Sequence, residues 1–453
     1  MNLAETLPKL GITALTEMQE ETLATAQQGD DLLLLSPTGS GKTLAFLLPL
    51  WQHLEAVAGE EVHVVPSVRV LILSPSRELA LQTNRVWKSL DTPYPAVCTY
   101  GGHLMVDERR ALVSQNPTLL IGTPGRVLDL IEKGYLPTTD LTLLVIDEFD
   151  KSLELGFCAQ MERLIELLPS LRRKWLISAT DSEEIPRFLA LGSGSGNPAI
   201  RIDYRSRELS LQERLKVYHV TSPTRDKLNS LLSLLSTLPD GALAMVFVNH
   251  REAVDRIYLY LKDAGVACES FHGGLEQTFR ERALYRFRAG CSHVLICTDL
   301  AARGLDIPDV GAIIHYHLPP QEDGFTHRNG RTARWTATGA AYWLSSPDEA
   351  LPEYLKLEDY EEWEIPAQPK AEPVAPLLVA LYFGRGRKDK ISRIDLVGFL
   401  CKKGGLSSRD IGLIELRDHH AYVAIPRKSL KQVLTRLRGE KIKGQRTIIE
   451  QAK

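Results

Sequence analysis

The stretch LLLLSPTGSGKTLAFLLPLWQHL, residues 32–54, decides the fold. Its four leading leucines are far too few to span a bilayer, which takes roughly 20 apolar residues, yet they suit a short strand buried on both faces. A glycine-rich turn follows, and after it an apolar-rich helix. In that setting Gly39 and Gly41 leave backbone N–H groups free to wrap phosphate oxygens, and the helix N-terminus adds its positive dipole. The candidate cradle is Ser36, Pro37, Thr38, Gly39, Ser40 and Gly41, with Lys42 reaching the β and γ phosphates and Thr43 offering its hydroxyl to Mg2+. The general pattern opens on glycine where this chain has Ser36, so the loop is a variant.

Outward from this stretch the same rhythm recurs. Apolar runs at 70–73, 119–122, 143–146 and 175–177 are each followed by small or polar residues and a helical pattern, as in parallel strands with crossover helices. The rhythm restarts at 243–248, 294–297 and 312–316, which predicts a second doubly wound α/β domain after the first. The chain has 453 residues, and an allowance of roughly 150 per domain suggests about three domains. The expected division is 1–205, 211–346, an acidic and proline-containing linker over 347–376 that is partly helical, and a small domain over 377–453.

Composition is that of an ordinary soluble globular chain, with 44% hydrophobic and 25% charged residues. No basic-then-apolar leader is visible at the start, so a cytosolic protein with no membrane partner is expected. The six cysteines include no C-x-x-C pair, which argues against a zinc site or a disulfide framework. Net charge is −3, but residues 377–453 hold 18 Lys+Arg against 7 Asp+Glu, a net of +11 that leaves −14 on the rest. A basic module on an acidic body points to a polyanionic partner.

The stretch LLVIDEFDK, 143–151, runs an apolar strand into three carboxylates, Asp147, Glu148 and Asp150. Unpaired charge at the tip of a buried strand is costly unless a cation neutralises it. Mg2+ and Lys42 would do so, with Asp147 holding the metal and Glu148 orienting or deprotonating an attacking water.

PSRELA (75–80), the pair Gly101-Gly102, TPGR (123–126), DEFD (147–150) and SAT (178–180) precede VFVNH (246–250), TDLAARGLDI (298–307) and HRNGRTAR (327–334). In this order and spacing they resemble the DEAD-box RNA helicases over roughly residues 1–346. The resemblance implies two tandem RecA-like domains and RNA-dependent ATP hydrolysis. It implies that GITALTEMQ (11–19) reads adenine through Gln19, and that Asp306 lies near the ribose. Ser178 and Thr180 would couple the carboxylate strand to RNA binding, and Asp150 and His327 would meet across the cleft. Arg331 and Arg334 would reach the γ-phosphate, where such arginines are worth factors of about 10³ to 10⁵. Single-stranded RNA would cross Arg77, Gly102, Thr123, Arg126 and Thr298, mostly by phosphate contacts. This chain departs from the pattern at Phe149 for alanine, Leu15 for proline and Ala333 for glycine.

The tail orders its apolar and helical runs as β-α-β-β-α-β, the split ferredoxin-like pattern of RNA-recognition domains. Through GRGRKDKI (384–391), DIGLIEL (410–416), HAYVAI (420–425) and GEKIKGQ (439–445) it resembles the C-terminal RNA-binding domain of DbpA-type helicases, which implies a structured ribosomal RNA target. Arg385, Arg387, Lys388, Lys390, Lys441 and Lys443 are the candidate RNA contacts. Tyr422 and His420 read equally as base-stacking residues or, for Tyr422, as ordinary core. The leading expectation is a monomeric ATP-dependent helicase that opens short RNA duplexes during large-subunit assembly. The rivals are an ATP-gated RNA clamp that does not unwind, and a DNA translocase, which the RNA-type tail disfavours.

Overall fold

The computed structural model describes residues 3–26, 31–37, 39–58, 67–102, 104–181, 185–192, 199–205, 215–301, 307, 310–332, 339–347, 349–355, 360–365 and 375–452. The chain divides into two compact units at Ser210 and Leu211. Among the described residues no helix is long and apolar enough to cross a membrane.

The first unit is built on strands β1 (Leu32–Leu35), β2 (Val70–Leu73), β3 (Ala96–Thr99), β4 (Leu119–Gly122), β5 (Leu143–Asp147), β6 (Arg173–Ser178) and β7 (Ile200–Asp203). They form one sheet in the order β3-β4-β2-β5-β6-β1-β7, parallel throughout. Successive strand residues face opposite sides, and the packing follows that alternation. Leu32, Leu34, Val70, Ile72, Val145 and Ile177 join one apolar cluster, while Leu33, Leu35, Leu71, Leu73, Ile146 and Leu176 join the other. A sheet covered on both faces needs unbroken apolar strands, which is why LLLL and LLVI do not alternate with polar residues.

The second unit holds two bodies. Strands β8 (Leu215–Thr221), β9 (Ala244–Phe247), β10 (Cys268–Phe271), β11 (Val294–Cys297), β12 (Ala312–His315), β13 (Gly339–Ser345) and β14 (Glu361–Glu362) form a second parallel sheet in the order β10-β11-β9-β12-β13-β8-β14. The order repeats that of the first sheet, strand for strand, the edge strand β14 standing where β7 stands. The segment expected to be partly helical instead supplies, among its described residues, the edge strand β14, whose neighbour Trp363 donates its N–H to His219 O at 2.7 Å. Trp363 packs against Tyr218 and Tyr342, so this part of the segment is anchored on the sheet.

The C-terminal module has strands β15 (Leu378–Phe383), β16 (Ile414–Leu416), β17 (Ala421–Pro426) and β20 (Ile449–Gln451), ordered β16-β17-β15-β20, with a separate hairpin of β18 (Lys441–Ile442) and β19 (Gln445–Arg446). The helices Arg393–Phe399 and Leu430–Leu437 complete the split β-α-β-β-α-β arrangement. Val379, Leu381, Phe383, Val423 and Ile425 bury one sheet face against these helices.

Candidate functional site

Strand order decides which loops meet. In the first sheet the glycine-rich loop follows β1, the DEFD turn follows β5 and SAT ends β6, so all three share the C-terminal edge of three adjacent strands. On the other side of β5, the strands β2, β4 and β3 lead into Arg77, Thr123 and Gly101-Gly102. The carboxylate strand is thus the border between the half of the edge that carries the glycine-rich loop and the half that carries Arg77, Thr123 and the glycine pair. Ligand sites in open α/β sheets gather at such strand ends.

The loop has the backbone its glycines permit, with φ of 89° at Gly39 and 90° at Gly41. Ser36 is buried and donates its hydroxyl to Ser40 Oγ at 2.6 Å. Lys42 opens the helix Lys42–Ala58, and its ammonium donates to Ser36 O at 2.5 Å and Pro37 O at 2.7 Å. Those carbonyls hold the cation at the mouth of the loop. Thr43 is the second residue of that helix, half-buried. Gln19 is tied in from outside: Nε2 donates to Gly41 O at 3.3 Å, and Oε1 accepts the Thr16 N–H at 3.0 Å in a capping box. Leu15, in place of the usual proline, packs partly buried against the adjoining core.

Asp147 ends β5 almost fully buried, and among the described residues its Oδ2 has no hydrogen-bond partner. Burial first, then the neighbouring Glu148 carboxylate, push its carboxyl up to about 7, while Lys42 opposes them. A buried acceptor oxygen held this close to neutrality suits a cation. The Asp147 carboxylate and the Thr43 hydroxyl are hard oxygen donors of the kind Mg2+ takes. Glu148 adopts a left-handed φ of 50° at the start of the helix Phe149–Glu154, a conformation uncommon for residues with a Cβ. Phe149 is fully buried in the core with Ile146, Met161 and Leu189. The extra ring relative to alanine is absorbed by packing beneath the turn.

Behind the turn, Thr180 Oγ1 donates to Asp150 Oδ2 at 2.6 Å. Ser178 fixes the same backbone, its hydroxyl donating to Thr180 O at 2.6 Å and accepting the Thr180 N–H at 3.0 Å. The candidate coupling residues Asp150, Ser178 and Thr180 thus form one network within this unit.

Across β5, Arg77 lies against the glycine pair: a Cβ on Gly102, where φ is 102°, would sit 2.7 Å from Arg77 Nη1. Thr123 precedes the helix Pro124–Glu132. Arg126 is 3.3 Å from Glu108 Oε2, and Glu108 Oε1 accepts the Tyr100 N–H at 3.2 Å. The guanidinium already faces an anion, as a phosphate ligand would require.

In the second unit His327 lies near the end of the helix Glu322–Asn329, and Arg331 two residues beyond it; both are buried. Thr298 follows β11, its N–H donating to Phe271 O at 3.3 Å. Thr38, Asp306 and Arg334 lie outside the described residues.

The sequence reading passed over Arg328. Its fully buried guanidinium donates to Asp299 at 2.6 and 3.1 Å, to His317 O at 2.6 Å and to Asn249 Oδ1 at 2.8 Å. It joins VFVNH, TDLA and HRNG by one charge. The only linear signal was an arginine beside His327, with nothing to pair it with Asp299 or Asn249.

In the C-terminal module Arg387, Lys388, Lys390, Lys441 and Lys443 are exposed and Arg385 is half-buried. Tyr422 departs from the open-platform reading. It is buried and stacks on Tyr285 of the second α/β domain, centroids 5.0 Å apart.

Comparison with known proteins agrees with this layout. Residues 16–188 match the family described as DEAD/DEAH box helicase, 226–336 the helicase conserved C-terminal domain and 380–451 the DbpA RNA binding domain. The chain is 32% identical to the ATP-dependent RNA helicase DbpA of Bacillus subtilis (strain 168), covering 98% of this chain and 96% of that one. To DbpA of Escherichia coli (strain K12) it is again 32% identical, over 97% and 94%. Among solved structures it is similar to S. cerevisiae Dbp5 bound to RNA and ADP BeF3, at a TM-score of 0.65 and 25% identity, over 80% of this chain and 92% of that one.

Proposed function

The chain belongs to the DEAD-box family of ATP-dependent RNA helicases, and from that premise we propose that it couples RNA-stimulated ATP hydrolysis to the local opening of short duplexes in large-subunit ribosomal RNA. The observation that carries the reading is the shared strand edge, on which a phosphate loop, a buried carboxylate and a row of RNA motifs flank the single strand β5. A basic module with the DbpA RNA binding pattern supports a structured RNA target.

In this reading Lys42 and the loop backbone bind the β and γ phosphates, and Gln19 reads the adenine edge. Thr43 and Asp147 would hold Mg2+, which when bound supplies positive charge against the phosphates. Glu148 orients the attacking water and takes its proton. Arg331 and Arg334 approach the γ-phosphate from the second domain once RNA helps to dock it, with Asp306 at the ribose, which makes hydrolysis depend on RNA. RNA phosphates lie along Arg77, Gly102, Thr123, Arg126 and Thr298. His327 meets Asp150, and Ser178 and Thr180 pass the signal between the two halves of the edge. The working division is 1–205 and 211–346 for the two RecA-like domains and 377–453 for the RNA-binding module, in a cytoplasmic monomer.

ATP turnover by the pure protein, measured with and without large-subunit ribosomal RNA, tests the enzyme reading. Stimulation of tenfold or more, abolished by Lys42→Ala, is expected; turnover indifferent to RNA would overturn it. Displacement of a short duplex separates the helicase from an ATP-gated clamp, since a clamp would hydrolyse ATP and bind without releasing the strand.

A further inference from the structure

The helix that leads into Arg331, Glu322–Asn329, has eight residues, too few to keep its place without packing. In its last turn the Arg328 guanidinium pins it to Asp299, His317 O and Asn249, and Asn329 Oδ1 lies 2.9 Å from His315 Nε2. The first turn has no such clamp of its own. Gln321 at the N-cap makes no side-chain hydrogen bond to the helix, and the turn rests on Pro319, from whose Cβ a Cβ on Gly324 would lie only 2.9 Å.

The second hold comes from the chain beyond β13. There Glu349 Oε2 accepts from Lys227 Nζ at 2.7 Å and from the Ser346 N–H at 3.2 Å, while the buried Lys227 also donates to Leu344 O at 2.9 Å. Thus anchored, the segment brings Tyr354 to the helix. The Tyr354 hydroxyl donates to Pro319 O at 2.7 Å, and its ring lies 5.9 Å from that of Phe325, which stacks on His315 at 4.5 Å. Phe325 and Asn329 are one turn apart on the same helix face. Tyr354, Phe325, His315 and Asn329 therefore make one continuous stack that ties the first turn to the last.

We infer that Tyr354 is a positioning residue for ATP hydrolysis: it holds the first turn of this helix, with Arg328 as the pivot, and so sets where His327 and Arg331 stand. The inference rests on the role proposed above for Arg331 and adds a residue outside every nucleotide and RNA motif. A short rod fixed at one point swings about it, and a misplacement of about 1 Å at a catalytic group can cost a factor of about 10². Tyr354 has no place on the proposed nucleotide or RNA path, so its loss falls on kcat and leaves KM for ATP alone.

The test measures kcat and KM for ATP of the full chain at saturating large-subunit ribosomal RNA, well below the melting point, beside thermal unfolding. Tyr354→Ala is expected to lower kcat tenfold or more with KM for ATP within twofold. Phe325→Leu, which keeps apolar bulk but breaks both ring contacts, should show a fall of the same kind. Tyr354→Phe loses only the bond to Pro319 O and should restore kcat to within threefold of wild type. Trp363→Ala is the stability control, because Trp363 anchors the chain on Tyr218 and Tyr342 rather than on this helix; its melting point should fall while kcat stays within twofold. Unchanged kcat in Tyr354→Ala, a rise in its KM with kcat preserved, or an equal loss of kcat in Trp363→Ala would each overturn the inference. Wild-type turnover that does not respond to RNA would sink the functional reading instead, before the variants are compared.

Discussion

Thr180 Oγ1 donates a 2.6 Å hydrogen bond to Asp150 Oδ2, so the end of the SAT strand is tied to the helix that begins at the DEFD turn. Asp150 is largely buried, and a hydrogen bond to a charged group in such a place is worth about 1.5–3 kcal/mol. Thr180→Val removes the donor but keeps the shape. The variant should bind ATP within about threefold of wild type, while duplex displacement per ATP hydrolysed falls at least tenfold. Equal loss of turnover and displacement would assign the bond to folding alone.

The closeness of Gln19 to the phosphate loop makes Gly41 irreplaceable. A Cβ there would sit 2.6 Å from Gln19 Nε2, on a backbone with φ of 90°. Gly41→Ala must strain the loop and displace the glutamine together. Loss of ATP affinity exceeding 100-fold is expected from titration with a fluorescent nucleotide, with the thermal melt of the unliganded protein shifted only slightly.

Arg126 stands 3.3 Å from Glu108, so on the proposed RNA path a phosphate bound there would exchange one anion for another. Glu108→Gln weakens the competing anion yet keeps an acceptor for the Tyr100 N–H, and should raise affinity for single-stranded RNA severalfold. Arg126→Ala should lower affinity and reduce the slope of log K against log salt by about 0.7, the value for one lost phosphate contact on a single strand. An unchanged slope would remove Arg126 from the RNA path.

Much of this architecture was legible because parallel strands buried on both faces carry continuous apolar runs, as do β1, β2, β4, β5 as far as Ile146 and the Trp175–Ile177 part of β6. The edge and near-edge strands escaped notice: β8 is only partly buried along most of its length, and β14 is two exposed glutamates held by pairing with β8. Local motifs placed Lys42, Asp147 and Thr180 at one strand edge because each motif caps a strand whose neighbours are set by topology. Tyr422 could not be assigned from sequence, since an outward-facing tyrosine on β17 looks alike whether it meets a base or Tyr285. Arg328 was hidden for a similar reason, its partners Asn249 and Asp299 being 79 and 29 residues away.

Arg328 carries a specific expectation. Its planar guanidinium reaches a carboxylate, a backbone carbonyl and an amide oxygen at once, which a single ammonium cannot do. Arg328→Lys should therefore behave nearly as badly as Arg328→Ala. Removing one partner of a buried charged network costs about 3–5 kcal/mol, or about 10 °C for a domain of this size. Differential scanning calorimetry of both variants would decide; rescue by lysine would mean that charge alone matters there.

Acid stability follows from two histidines held neutral beside Arg328. Burial, and then the Arg328 guanidinium, lower the His315 pKa to about 3; burial, and then Lys227, lower that of His317 to about 4. His315 Nε2 and Asn329 Oδ1 are 2.9 Å apart, the geometry of a neutral ring donating to the amide oxygen. The unfolded chain takes up these protons near pH 6.5 and the native chain does not, so the unfolded state binds more protons throughout the interval. Stability is full above about pH 7 and declines as pH falls from about 6.5 toward the native values near 3 and 4. At about 1.4 kcal/mol per pH unit, His315 contributes a loss of roughly 2 kcal/mol between pH 7 and pH 5. Urea unfolding at both pH values should show that loss in the wild type and a shallower decline in His315→Gln, whose amide can still donate to Asn329. Parallel declines in the two proteins would show that His315 is not the group that titrates on unfolding.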